Sequence, residues 1–139
     1  VVFLDAVEKK WVEELGGMNV YFVFDDGSMA TPPTSGSILE GVTRDAIATL
    51  GAERGHPVEE RPISIDEWRD GVASGRITEV FACGTAAVVT PLGRLAWRGG
   101  ELSIGDGHTG KVTQDIRDAL LAVQYGQAPD THNWMHTVC

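Results

Sequence analysis

Apolar residues in the first quarter of the chain come in short runs with a period of two, the spacing of β-strands. Val1–Asp5, Trp11–Leu15 and Met18–Phe24 read as strands, the last two joined through Gly16-Gly17. Asp25-Asp26-Gly27-Ser28 reads as a hairpin-type turn, and Pro32-Pro33 with Gly36 as a loop leading to Ser37-Ile38-Leu39. The period then lengthens. Thr43 predicts an N-cap ahead of a helix over Arg44–Arg54, with Ile47 and Leu50 on one face and Gly55 at the stop. Ser64 and Glu67 have capping-box spacing ahead of a helix over Ile65–Ser74, in which Ile65, Trp68 and Val72 share a side and Gly75 ends it. Thr113 opens a third helix carrying Ile116, Leu120 and Val123, with Gly126 behind Tyr125. Strands are expected between the helices at Val58–Ile63, Ile77–Cys83 and Ala86–Val89. A hairpin joins Leu95–Trp97 to Glu101–Ile104 across Gly99-Gly100, and Ala128–Cys139 is irregular. Strands alternating with helices, together with hairpins, predict an α/β fold: a mixed sheet or pseudo-barrel with the helices outside it.

No repeat, linker or internal boundary interrupts this pattern, so residues 1–139 read as one domain. That length buries a real core. A formal net charge of -9 argues against nucleic acid as a partner, because phosphate backbones need a cationic face. The longest apolar runs are strand-sized and too short to span a bilayer as a helix, so no membrane partner is expected. No secretory leader is read at the start, which points to the cytoplasm. Two cysteines, Cys83 and Cys139, imply no disulfide framework. The chain opens inside an apolar strand-like run, Val1-Val2-Phe3-Leu4, without an initiator methionine, and so reads as part of a longer protein.

Three short segments have the makings of a site. In Leu39-Glu40-Gly41-Val42-Thr43-Arg44 a glycine precedes a helix start, so the first N–H groups and the Thr43 hydroxyl converge where the helix dipole is positive. That arrangement suits phosphate, although most helix starts of this kind are plain caps. Cys83-Gly84-Thr85-Ala86-Ala87 ends an apolar strand in a turn that offers N–H groups and one hydroxyl, or simply links two strands. Glu13-Glu14 puts two carboxylates in a strand-like run; one of them facing inward needs a cationic or N–H partner, whereas a solvated edge strand needs none. Two other patterns are set aside. Gly105-Asp106-Gly107-His108-Thr109-Gly110 has dinucleotide-loop spacing with Asp130 downstream, but no strand follows the helix behind it. His132, His136 and Cys139 have ligand-like spacing without a second pair, so no metal site is expected.

Taken in order, Glu14-Leu15-Gly16-Gly17-Met18-Asn19, Thr31-Pro32-Pro33, Gly36 to Arg44, Glu79 to Ala86, and Ile116-Arg117 through Gln124-Tyr125-Gly126 run along nearly the whole chain. Together they resemble the branched-chain amino acid aminotransferases, the fold type IV pyridoxal-phosphate enzymes. D-amino acid aminotransferases and aminodeoxychorismate lyases share that fold; Glu14-x-Gly-Gly-Met-Asn and the Ala-Cys-Gly-Thr-Ala turn favour the branched-chain branch. The resemblance implies pyridoxal 5'-phosphate as cofactor, branched-chain amino acids and 2-oxoglutarate as substrates, and a homodimeric parent. It implies roles as well. Glu14 pairs with the cofactor's ring nitrogen, Leu39 packs against the ring, and Gly41, Val42 and Thr43 form the phosphate cradle. Gly84 and Thr85 make a second phosphate contact, and the N–H groups of Thr85 and Ala86 hold the substrate's carboxylate.

The chain departs from the family pattern in places. Glu40 stands where many relatives have proline, which brings a negative charge close to the cradle. Ala87 and Thr90 occupy the positions of a Cys-x-x-Cys pair found in mammalian relatives. Lys9, Lys10 and Lys111 are the only lysines, and none lies in the family's Schiff-base lysine context. By the resemblance that lysine falls upstream of Val1, as does an N-terminal domain, so the chain corresponds to the C-terminal domain and is expected to be inactive alone. The rival is a non-catalytic binding or structural module.

Overall fold

The computed structural model describes residues 1–138. Its centre is a five-stranded sheet built from β3 (Asn19–Phe24), β4 (Met29–Thr31), β5 (Val58–Glu60), β6 (Ile77–Gly84) and β7 (Val88–Pro91), in the order β5-β4-β3-β6-β7. All neighbours are antiparallel except β4 and β5, which are parallel and joined through helix α1 (Val42–Glu53). The sheet is mixed, as the sequence predicts. Strands β1 (Val2–Leu4) and β2 (Val12–Leu15) pair separately, as do β8 (Arg94–Trp97) and β9 (Gly100–Ser103).

Period-two alternation along β3 and β6 divides the core in two. Val20, Phe22, Val80 and Ala82 face helix α2 (Ile65–Ser74), β2 and β8, and the edge of the Trp68 ring meets Phe22 at 5.0 Å between centroids. Tyr21, Val23, Phe81 and Cys83 face α1 and helix α3 (Lys111–Gln124) on the other side, with Tyr21 stacked on Phe81. Helices cover both faces of the sheet, so its central strands read as nearly continuous apolar runs. Among the described residues no helix is long and apolar enough to cross a membrane.

Helix α2 has the predicted ends: Ser64 Oγ accepts the Glu67 N–H at 3.0 Å, and Gly75 takes the left-handed conformation. The reciprocal arm of the capping box is replaced. The Glu67 carboxylate binds Arg61 and Arg76 instead, an ionic link that outcompetes a neutral N–H donor. The other two helices start earlier than predicted. Gly41 is the N-cap of α1 and Gly110 that of α3, neither with a side-chain cap, so Thr43 and Thr113 lie inside the first turns. For α3 the missing cap comes from another element: Glu79 on β6 accepts the Val112 and Thr113 N–H groups at 3.1 and 2.8 Å and the Thr113 hydroxyl at 2.7 Å. A side chain at Gly110 would drive its Cβ into the Glu79 carboxyl group.

Strand ends shift for similar local reasons. β5 stops before Pro62, which has no N–H to give a ladder. β7 begins at Val88 because Thr85, Ala86 and Ala87 form a three-residue turn. β4 is a fully buried strand of three residues, too short to announce itself by alternation.

Candidate functional site

Helix α1 is held at its start by three buried side chains. Asn19, the first residue of β3, donates from Nδ2 to the Leu39 carbonyl at 3.0 Å. The Tyr21 hydroxyl donates to the Arg44 carbonyl at 2.7 Å. Arg44, only 6% exposed, donates to the Pro32 carbonyl at 3.1 Å and pairs with Glu60 at 3.0 Å. The helix's own ladder begins with Asp45 N donating to Gly41 O, so the N–H groups of Val42, Thr43 and Arg44 precede it.

Beside this helix start lies the end of β6 and the turn Thr85-Ala86-Ala87, which Val88 closes with φ at 54°. A β-branched residue in the left-handed region is strained by about 1–3 kcal/mol, so the surrounding sheet must impose this turn. The two loops form a cavity of about 270 Å³. One wall is Leu39, Gly41, Val42 and Thr43; the other is Cys83, Gly84, Thr85, Ala86 and Ala87, with Gly17, Met18 and Asn19 between them. Segments some forty residues apart in sequence are thus brought face to face by the pairing of β3 with β6.

The chemistry of the wall is uniform. No lining residue is charged. Burial pushes the Cys83 thiol up to about 12, so it is a neutral wall element and not a nucleophile. Glu40 is not on the wall: it borders a neighbouring groove with Thr34 and Asp45. Hydroxyls of Thr43 and Thr85, unladdered N–H groups and a helix dipole remain, a donor set suited to an anion with several oxygens. Leu39 is 71% exposed and Val42 84%, so the rim of the cavity is apolar.

Seven of the eight residues nominated from sequence line this cavity: Leu39, Gly41, Val42, Thr43, Gly84, Thr85 and Ala86. Glu14 does not. It is half-buried on β2 opposite Phe3, and a bulge skips Glu13 in the β1–β2 register. The bulge breaks the simple alternation expected for Glu13-Glu14 and lets Val12 and Leu15 both point inward. Glu13 accepts the Ser37 hydroxyl at 2.8 Å. Asn19 was legible only as a letter in the family pattern; its clamp on Leu39 is a tertiary contact with no local signature.

The remaining patterns have structural explanations. Gly105–Gly110 is a surface loop ahead of α3, and the Asp130 carboxylate accepts the N–H groups of His132, Trp134 and Met135, fixing the tail. No group of three or more metal-ligating side chains occurs among the described residues, and Cys139 lies outside them.

Residues 1–95 match the family Amino-transferase class IV. The chain belongs to the class IV aminotransferases. A probable branched-chain-amino-acid aminotransferase from Streptomyces coelicolor is 52% identical over 138 residues, which is 99% of this chain and 38% of that protein. The branched-chain-amino-acid aminotransferase of Mycolicibacterium smegmatis is 51% identical over 97% of this chain and 38% of its own length. The chain therefore spans well under half of the curated relatives it matches. Among solved structures, the branched-chain amino acid aminotransferase from Escherichia coli superposes with a TM-score of 0.80 at 34% identity, covering 98% of this chain and 42% of that one. A second branched-chain amino acid aminotransferase, solved with pyridoxamine 5'-phosphate, superposes at 0.82 with 33% identity, over 99% of this chain and 41% of that one. The class IV aminotransferase fold is thus shared along the whole described chain.

Proposed function

We propose that this chain is the C-terminal, cofactor-binding part of a pyridoxal-phosphate aminotransferase that exchanges an amino group between leucine, isoleucine or valine and 2-oxoglutarate. One observation carries the reading. An uncharged cavity brings the start of α1 and the β6–β7 turn together with hydroxyls and unladdered N–H groups on both walls.

This donor set fits a phosphate. The N–H groups of Val42 and Thr43 and the Thr43 hydroxyl take one side of the phosphate, and the Thr85 hydroxyl takes the other. Gly41 and Gly84 line the cavity beside these donors. When bound, the cofactor supplies a ring that accepts the electron pair left as the substrate loses its α-proton. Leu39, exposed at the rim, packs against that ring. The Glu14 carboxylate pairs with the ring nitrogen and holds its proton there, three residues before the cavity-lining Gly17. The N–H groups of Thr85 and Ala86 orient the substrate's carboxylate. The rest of the parent supplies the lysine and the remainder of the substrate pocket, and the parent is a cytoplasmic homodimer.

The test uses the complete protein that carries this chain. Loaded with pyridoxal 5'-phosphate and 2-oxoglutarate, it should form glutamate from L-leucine, L-isoleucine and L-valine. It should form little from D-alanine and leave aminodeoxychorismate unchanged. Preference for either of the last two would assign the chain to another branch of the fold, and absence of any turnover would leave it a binding module.

A further inference from the structure

One side chain touches the first loop of the cavity and is paired through the sheet to the second. Asn19 opens β3 opposite Cys83, is 6% exposed, and lies on the cavity wall. Its Nδ2 and the Gly41 N–H both donate to the Leu39 carbonyl, at 3.0 and 2.9 Å. Both lone pairs of that oxygen are engaged, so its negative end is tied inward, away from an incoming anion. The amide orientation follows from this contact, since the opposite flip would set two oxygens against each other.

The second contact explains a glycine. Gly41 has φ -70° and ψ 128°, a conformation open to any residue. Yet a Cβ built there would collide with Asn19 Oδ1. Backbone torsion does not demand glycine at this position; the Asn19 amide does.

We propose that Asn19 is the positioning residue of the phosphate cradle, holding the Leu39–Gly41 turn against the sheet so that the first N–H groups of α1 are presented to the phosphate. The proposal deepens the functional reading above and rests on it. Asn19 touches no reacting atom in this role. It acts through Leu39 and Gly41.

The experiment compares affinities for pyridoxal 5'-phosphate and for pyridoxal, which has the same ring and aldehyde without the phosphate. It uses the complete protein, its N19A, N19L, G41A and T43V variants, and the N19A/G41A pair. N19L keeps the branched shape without the amide's donor and acceptor, so one of the two replacements remains informative if the other folds poorly. Loss of the clamp should lower affinity for the phosphorylated form about tenfold, equivalent to roughly 1.4 kcal/mol, with pyridoxal affinity unchanged. The apoprotein's melting temperature falls too, because a buried hydrogen bond is lost, and so the contrast between the two ligands is the readout. G41A should cost less in the N19A background than alone, because the obstructing amide is gone. If both affinities fall together, or neither falls, Asn19 merely supports the fold. Additive losses for N19A and G41A would remove the contact. If the parent itself does not prefer the phosphorylated form, the phosphate reading fails along with the clamp. If the parent prefers it, T43V loses the preference and N19A keeps it, only the clamp falls.

Discussion

A threonine hydroxyl at a helix start gives a phosphate one charge-assisted hydrogen bond, and valine keeps the shape while removing the donor. Thr43→Val in the complete protein should therefore weaken cofactor binding by about 1.5–3 kcal/mol. Equilibrium dialysis measures this directly, and equal affinity in variant and parent would remove Thr43 from the site. Glu14 should behave in the opposite way. An amide in its place cannot hold a proton on the ring nitrogen by charge, so Glu14→Gln should retain cofactor yet slow the single-turnover half-reaction by about a hundredfold. An unchanged rate would count against the assigned role. The residue scale also shows where sequence reading stops. Thr43, Thr85 and Ala86 stand out because glycine and threonine at element ends have a local meaning. Asn19 and Glu79 act on segments twenty and thirty-four residues away and have none.

Among the elements, α2 was readable to the residue because its start and stop signals, Ser64 and Gly75, are both local. Helices α1 and α3 have Gly41 and Gly110 as their N-caps, which have no side chain to advertise a cap. In α3 the capping group comes from Glu79, and this can be tested. Glu79→Ala leaves two N–H groups and a buried hydroxyl without their acceptor at the positive end of a helix, and should cost about 2 kcal/mol of stability. Denaturant unfolding would read the loss, and a midpoint within error of the parent would show that water replaces the carboxylate freely. The β1–β2 turn carries a pH dependence instead. N–H groups of Trp11, Lys10 and Glu8 hold the Asp5 carboxyl down at about 2, below its ordinary 3.8. A lowered value means that its contribution is complete above the unfolded value and is lost as pH falls from 3.8 towards 2. Amide resonances of Trp11 and Lys10 should titrate near the lower figure, and Asp5→Asn should abolish the transition. Titration near 4 would mean that the turn does not form as described.

At the scale of the molecule, the decisive feature is where its amines lie relative to the cavity. Transamination needs an amine that engages the cofactor's aldehyde carbon and then carries the proton to and from the substrate. Lys9 sits in the β1–β2 turn with φ at 52°, Lys10 lies 4.5 Å from the centre of the Trp11 ring, and Lys111 begins α3. All three are exposed, and none lines the cavity. An exposed lysine on a flexible stem lacks the positioning that aims an amine at a cofactor. The cavity walls, by contrast, offer donors only for binding. The 139-residue chain by itself, given pyridoxal 5'-phosphate, leucine and 2-oxoglutarate, should therefore form no glutamate beyond the uncatalysed background. Sustained turnover that disappears when Lys9, Lys10 or Lys111 is replaced would overturn the division of labour between cradle and amine. Turnover that appears only when the remainder of the complete protein is added in trans, and that is lost again with Thr43→Val, would place the cradle on this chain and the reacting amine elsewhere.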